Sequence, residues 1–168
     1  VDPSAIIATY VTSRALEDSG VDTNLTDIPV ITASLHAGGV AVDRVSQAYH
    51  KVAVEHNVPY LDAHDTKPIR WSPLQLLSTG HEFASSHIAQ MFDFTGPNFN
   101  ISSTCSSSIQ AIECGAAFLD AGTPYVVVTS SDAMAQNKPS RNFFEGIGAA
   151  SMKGECTPFD EDRSGRML

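Results

Sequence analysis

The chain has 168 residues, of which 42% are hydrophobic and 17% charged, with a net charge of −9. That length fits one globular domain or two very small ones, and the composition argues against extensive disorder. Nineteen acidic against ten basic residues disfavour a nucleic-acid binder, which must neutralise phosphates, and docking on an anionic membrane.

No apolar run is long enough to span a bilayer, so no membrane insertion is expected. Val1-Asp2-Pro3 shows neither a basic leader followed by an apolar segment nor an initiator Met. A piece of a longer cytoplasmic protein is the expectation, with an organelle open if the source is eukaryotic. The three cysteines, Cys105, Cys114 and Cys156, fit neither a disulfide framework nor a zinc-site spacing.

Asp2-Pro3 is a good helix start. Ile6, Ile7, Tyr10, Val11 and Leu16 follow at helical spacing, and Gly20 can end the helix. Ile28-Pro29-Val30-Ile31-Thr32 is a short β-rich run. A second helix is predicted over residues 40–56, with Val42, Val45, Tyr49 and Val52 as its apolar stripe. Residues 57–73 hold three prolines and read as loop. A third helix is predicted over residues 82–92, with Ala84, Ile88 and Met91 on one side, and Gly96-Pro97 then breaks the chain.

Residues 98–131 are the most informative. Phe99-Asn100-Ile101-Ser102-Ser103 can be a strand. Residues 106–121 read as a helix with Ile109, Ile112, Ala116 and Leu119 in one stripe. Tyr125-Val126-Val127-Val128-Thr129 has the continuous β-branched character of a strand buried on both faces. Strand, helix and strand in that order make a parallel βαβ unit.

Cys105 falls where the first strand of this unit gives way to its helix. The first N–H groups of a helix lack intrahelical partners, and with the macrodipole they favour negative charge. Such a junction favours a thiolate and can later hold an oxyanion. The turn also pushes a side chain out of the sheet, as in a nucleophile elbow. Around it, Ser102, Ser103, Thr104, Ser106, Ser107 and Ser108 leave room for a substrate. The competing reading is a small buried hydrophobe. Cys114 lies half a turn out of phase with Cys105 and reads as structural, as does Cys156.

Gly96-Pro97-Asn98 through Ser102-Ser103-Thr104-Cys105-Ser106-Ser107-Ser108 resembles the active-site segment of β-ketoacyl synthases, the condensing enzymes of fatty-acid and polyketide synthesis. Thr157-Pro158-Phe159-Asp160-Glu161-Asp162-Arg163-Ser164-Gly165 is similar to the family's Pro-Phe-Asp-x-x-Arg-x-Gly motif. The Leu16–Gly20 helix end, Gly38-Gly39 and the Val126–Val128 strand follow in the family's order.

The resemblance implies an α/β protein of thiolase-like fold, with α-β-α-β-α layers, of which residues 1–168 would be part of the N-terminal half, truncated at both ends. Cys105 would take an acyl group from a carrier-protein or coenzyme A thioester. A malonyl thioester would then decarboxylate and attack it, giving a 3-oxoacyl thioester. The resemblance further implies a homodimer and a reaction needing no metal or redox cofactor. Two catalytic His residues of the family would lie in its C-terminal half. His36, His50, His56, His64, His81 and His87 therefore read as structural or solvated, and residues 1–168 alone should not condense.

The family's usual Thr-Ala before the Cys is Ser103-Thr104 here, and Ser130-Ser131 stands where Gly-Gly often follows the core strand. The resemblance makes Leu35-His36-Ala37-Gly38-Gly39 an acyl-pocket loop in which Ala37 would leave room for a longer chain; otherwise Ala37 is a turn residue. Lys67 and Arg70 are candidates to meet an acidic carrier protein. Two alternatives remain at this point: a non-catalytic partner subunit of chain-length-factor type, which would ordinarily lack the Cys, and a thiolase-type acyltransferase.

Overall fold

A computed structural model describes residues 2–22, 24–34, 39–133, 136–151 and 153–166. The chain divides into two compact units, residues 1–132 and 133–168.

The first unit is built on a parallel sheet of three strands, β1 (Val30–Ala33), β2 (Asn98–Ile101) and β3 (Val127–Ser130), in the order β2-β1-β3. Val30 pairs with Asn98 on one side and Val127 on the other, so all three strands end level at Ile101, Ala33 and Ser130. Successive side chains of a strand point to opposite faces. Val30 accordingly joins Ala8, Ile28, Ile88, Ala89 and Phe94, while Ile31 and Ala33 join Ala111 in a separate cluster. Helices α1 (Pro3–Ser19) and α5 (Phe83–Met91) supply the first cluster, and α6 (Ser107–Asp120) supplies the second. The unit is therefore α/β/α, with β1 at its centre.

Asp2 caps α1 as expected, and Gly20 ends it in the left-handed conformation at φ +65°. Asp2 also does what its position in the sequence does not reveal. Its Oδ1 accepts the Ser4 N–H at 3.0 Å, and its Oδ2 accepts the Ala41 N–H at 3.1 Å, in the first turn of α2 (Gly39–His56). One buried carboxylate thus caps two helices.

Helix faces depart from the apolar stripes read in the sequence. Ile6, Ile7, Tyr10 and Val11 are exposed, and α1 buries Ser4, Ala5, Ala8 and Thr12 instead. On α6, Ile109, Ile112 and Leu119 are exposed, while Ser107, Ala111 and Gly115 are buried. The cause is closeness: these helices pack on the sheet through small residues. A Cβ on Gly115 would lie 2.7 Å from Val128 Cγ2, inside any permitted contact. Val42 of α2 and Met91 of α5 are also exposed, whereas Val52, Ala84 and Ile88 are buried as expected.

The strand buried on both faces is β1, not β3. All four β1 residues are buried, and in β3 only Thr129 is. The reason is topology, because among the described residues β3 pairs on one side alone. Its outer side and α1 bound a cavity of about 560 Å³ lined by Val11, Thr12, Leu16, Val126 and Val128 among others.

The predicted loop at residues 57–73 contains a 3-10 turn (Tyr60–Asp62) and the one-turn α3 (Ala63–Thr66), followed by α4 (Pro73–Leu77). Ala63 draws this segment onto Val52 and Ala53 of α2. Ser72 and Gln75 form a reciprocal capping box at the start of α4.

In the second unit, α7 (Lys138–Gly146) is capped by Asn137, whose Oδ1 accepts the Ser140 N–H. Ala150 bridges Arg166, and the Arg166 guanidinium lies 5.2 Å from the Phe144 ring centroid. Gly165, at φ +117°, allows this approach: a Cβ there would meet Ala149 O at 2.6 Å. The Pro-Phe-Asp segment is a closed turn in which Asp160 O accepts from the Arg163 side chain at 3.0 Å. Its Oδ1 accepts the Asp162 N–H at 2.8 Å.

Candidate functional site at the strand–helix junction

The three strands end level at the C-terminal edge of the sheet and are followed by Ser34, Ser102 and Ser131, at the edge where open α/β sheets bind ligands. Beyond Ile101 the chain makes a 3-10 turn, Thr104–Ser106, that feeds into α6. Cys105 lies in this turn and is exposed, as its sequence position predicts. Cys114 packs beside Ile31, Ala33 and Ala111 and is structural. Cys156 is exposed in the second unit, so the reading of it as structural finds no core contact to support it.

The hydroxyls around Cys105 do more than leave room. Ser107 is buried, 3% exposed. Its Oγ accepts the Ser103 N–H at 2.8 Å and donates to Thr104 O at 2.7 Å. Ser106 Oγ donates to Ser103 O at 2.7 Å. Thr104 itself sits at φ +53°, a strained value for a β-branched residue. The N–H of Cys105 has no hydrogen-bond acceptor among the described residues. A free N–H next to a thiol is the pairing an acyl-transfer site needs: a nucleophile and a donor for the oxyanion.

Ser130 and Ser131 both find partners that glycines could not engage. Ser130 Oγ lies 2.9 Å from Ser108 Oγ in the first turn of α6. Ser131 Oγ donates to Ser4 O in the first turn of α1 at 2.8 Å. The two serines thus hold two helix starts to the end of β3. Each hydroxyl adds a tie that Gly-Gly would lack.

Several sequence candidates lie elsewhere. Ala37 and His36 fall outside the described residues. Lys67 is 3.9 Å from Glu55, whereas exposed Arg70 has no ion pair among the described residues. His64 Nδ1 lies 2.9 Å from Leu61 O and its Nε2 3.1 Å from Asp65, and His87 stacks on Phe83. These are structural contacts. Among the described residues, no group of three or more His, Cys, Asp or Glu could hold a metal ion, and no helix is long and apolar enough to cross a membrane.

The family model for the N-terminal domain of β-ketoacyl synthases matches residues 1–168. The chain belongs to the β-ketoacyl synthase family. Over 169 residues it is 28% identical to non-reducing polyketide synthase 1 of Elsinoe fawcettii, covering 98% of this chain and 7% of that protein. It is 23% identical to probable polyketide synthase 44 of Dictyostelium discoideum, covering 98% of this chain and 5% of that one. The chain therefore spans only 5–7% of the length of these relatives.

Its fold is that of a solved type II polyketide ketosynthase, described as bound to the hexaketide in complex with its acyl-carrier protein (AntDE:AntF). The TM-score is 0.77 at 15% identity, over 99% of this chain and 41% of that one. The thiolase-like α/β class expected from the resemblance holds.

Ser107 is the site residue that the sequence left unmarked. It is one of six hydroxyl residues flanking Cys105, and only the fold tells which of them turns inward.

Proposed function

We propose that the chain is part of the N-terminal half of a ketosynthase of polyketide assembly, with Cys105 as its acyl acceptor. The observation that carries the reading is Cys105 itself: an exposed thiol at the strand–helix junction, next to its own N–H, which has no acceptor among the described residues. The relatives named above are polyketide synthases, which favours a polyketide role over a fatty-acid one. A non-catalytic partner subunit is disfavoured by the retained Cys.

In the proposed reaction the Cys105 sulfur, as thiolate, adds to the carbonyl carbon of an acyl thioester. The new C–S bond forms, the bond to the carrier sulfur breaks, and the carrier leaves as a thiol, taking up the proton Cys105 gave up. The carbonyl oxygen is negative in between, and the free N–H of Cys105 can stabilise it. A malonyl thioester then loses carbon dioxide, and its carbanion displaces the Cys105 sulfur to give the 3-oxoacyl product. The His residues for this second step would come from the C-terminal half, and the intact enzyme would be a homodimer.

An acyl-carrier protein is the proposed donor. Arg70, with no ion pair among the described residues, is better placed than Lys67 to meet its acidic surface, since Lys67 already shares Glu55. Ala37 remains a proposed determinant of acyl chain length.

Incubating the intact parent protein with hexanoyl-coenzyme A tests the reading. One hexanoyl group, mapped to the peptide carrying Cys105 and missing in Cys105→Ala, is expected. A folded wild-type protein that stays unacylated overturns it.

A further inference from the structure

We propose that Ser107 is a positioning residue that sets the Thr104–Cys105 peptide so that the Cys105 N–H meets the carbonyl oxygen of the reacting thioester. The proposal rests on the reading of Cys105 as acyl acceptor and adds a residue to it.

The argument starts from the planarity of the peptide unit. In a trans peptide the C=O and the following N–H point in opposite directions, and no cis peptide occurs among the described residues. Whatever fixes the Thr104 carbonyl therefore fixes the Cys105 N–H. That carbonyl accepts two hydrogen bonds from one residue: the Ser107 N–H closes the 3-10 turn, and the Ser107 hydroxyl adds a second bond at 2.7 Å. With its C=O held into the helix start, the unit turns its N–H the other way, where no acceptor is found among the described residues.

The backbone bond alone does not make the turn rigid. Thr104 is held at φ +53°, and a strained residue keeps such a value only when its surroundings over-determine it. The Ser107 hydroxyl supplies that excess constraint by also accepting the Ser103 N–H at 2.8 Å. It thus ties the residue before Thr104 and the carbonyl after it to a single buried atom. Without this hydroxyl the Ser103 N–H loses its partner and Thr104 is free to relax to negative φ. That relaxation rotates the 104–105 peptide and carries the donor off its target.

Oxyanion donors act only when aimed at the developing charge. Alkylation of a thiol by iodoacetamide forms no oxyanion, so a fault in the donor slows acyl transfer and spares alkylation.

The test uses the intact parent protein, with single-turnover acylation of Cys105 by hexanoyl-coenzyme A and iodoacetamide alkylation of the same thiol. In Ser107→Ala the maximal acylation rate is expected to fall about tenfold or more, as for loss of oxyanion stabilisation. Half-saturation by the donor should not move, and the alkylation rate should stay within about twofold. Ser107→Thr, which keeps a hydroxyl able to bond the carbonyl three residues back, should recover most of the rate.

Wild-type acylation rates in Ser107→Ala would overturn the proposal. So would a parallel fall in acylation and alkylation, which would mark a generally disturbed thiol. No acylation of the wild type would instead overturn the assignment of Cys105, and the role of Ser107 with it.

Discussion

β1 and β3 have nearly the same kind of sequence, Val-Ile-Thr-Ala against Val-Val-Thr-Ser, and opposite surroundings. Each residue of β1 is buried, because strands flank it on both sides and helices cover both faces. β3 pairs on one side, and Val128 at its centre is 36% exposed. A β-branched run reports strand character, but not how many neighbours the strand has. The two strands also divide the work. β1 carries the core, and the end of β3 carries hydroxyls that tie the starts of α1 and α6 to it.

Truncating a central side chain should show this difference most strongly. Ile31 is 0% exposed, so Ile31→Ala is expected to cost roughly 2–5 kcal/mol of unfolding free energy, the range for large core truncations. Val128→Ala on β3 should cost under about 1 kcal/mol, since much of its side chain is already in water. Denaturant unfolding of the two variants makes the comparison. Equal losses would mean that β3 is as central as β1.

A second experiment sharpens the contact between β3 and α6. Gly115→Ala places a methyl 2.7 Å from Val128 Cγ2, and overpacking of this kind typically costs 1–3 kcal/mol. Combining it with Val128→Ala removes the atom it strikes, so the double variant should recover at least half of the loss. Additive losses would place the strain elsewhere.

Much of this was legible in the sequence, for physical reasons that can be named. Helix and strand positions followed from caps and breakers: Asp2 and Gly20 bracket α1, and Gly96-Pro97 precedes β2. The place of Cys105 followed from strand-then-helix order, which local periodicity records.

Three things were not legible. Burial direction was misread wherever a helix lies close to the sheet, because packing there selects small residues and leaves the bulky stripe outside. The second cap supplied by Asp2 joins residues 39 positions apart, and no local pattern encodes that. Ser107 was one hydroxyl among several, since a run of serines says nothing about which one the turn folds beneath it.

The smallest expected effect is also the most pointed test of the misread faces. Ile109 and Ile112 are 70% and 62% exposed, while Ala111 between them is fully buried. If apolar character decided burial, the isoleucines would form the core contact and their loss would be severe. If closeness to the sheet decides it, the helix is held through Ala111 and Gly115, and the isoleucines contribute little within this unit. Ile109→Gln and Ile112→Gln together should then change unfolding free energy by no more than about 0.5 kcal/mol each, the usual range for surface substitutions. Gln keeps good helix propensity, so a larger loss cannot come from the backbone. A loss above about 2 kcal/mol for the pair would mean that this stripe is covered in solution, and that α6 is held from its outer side as well as from the sheet.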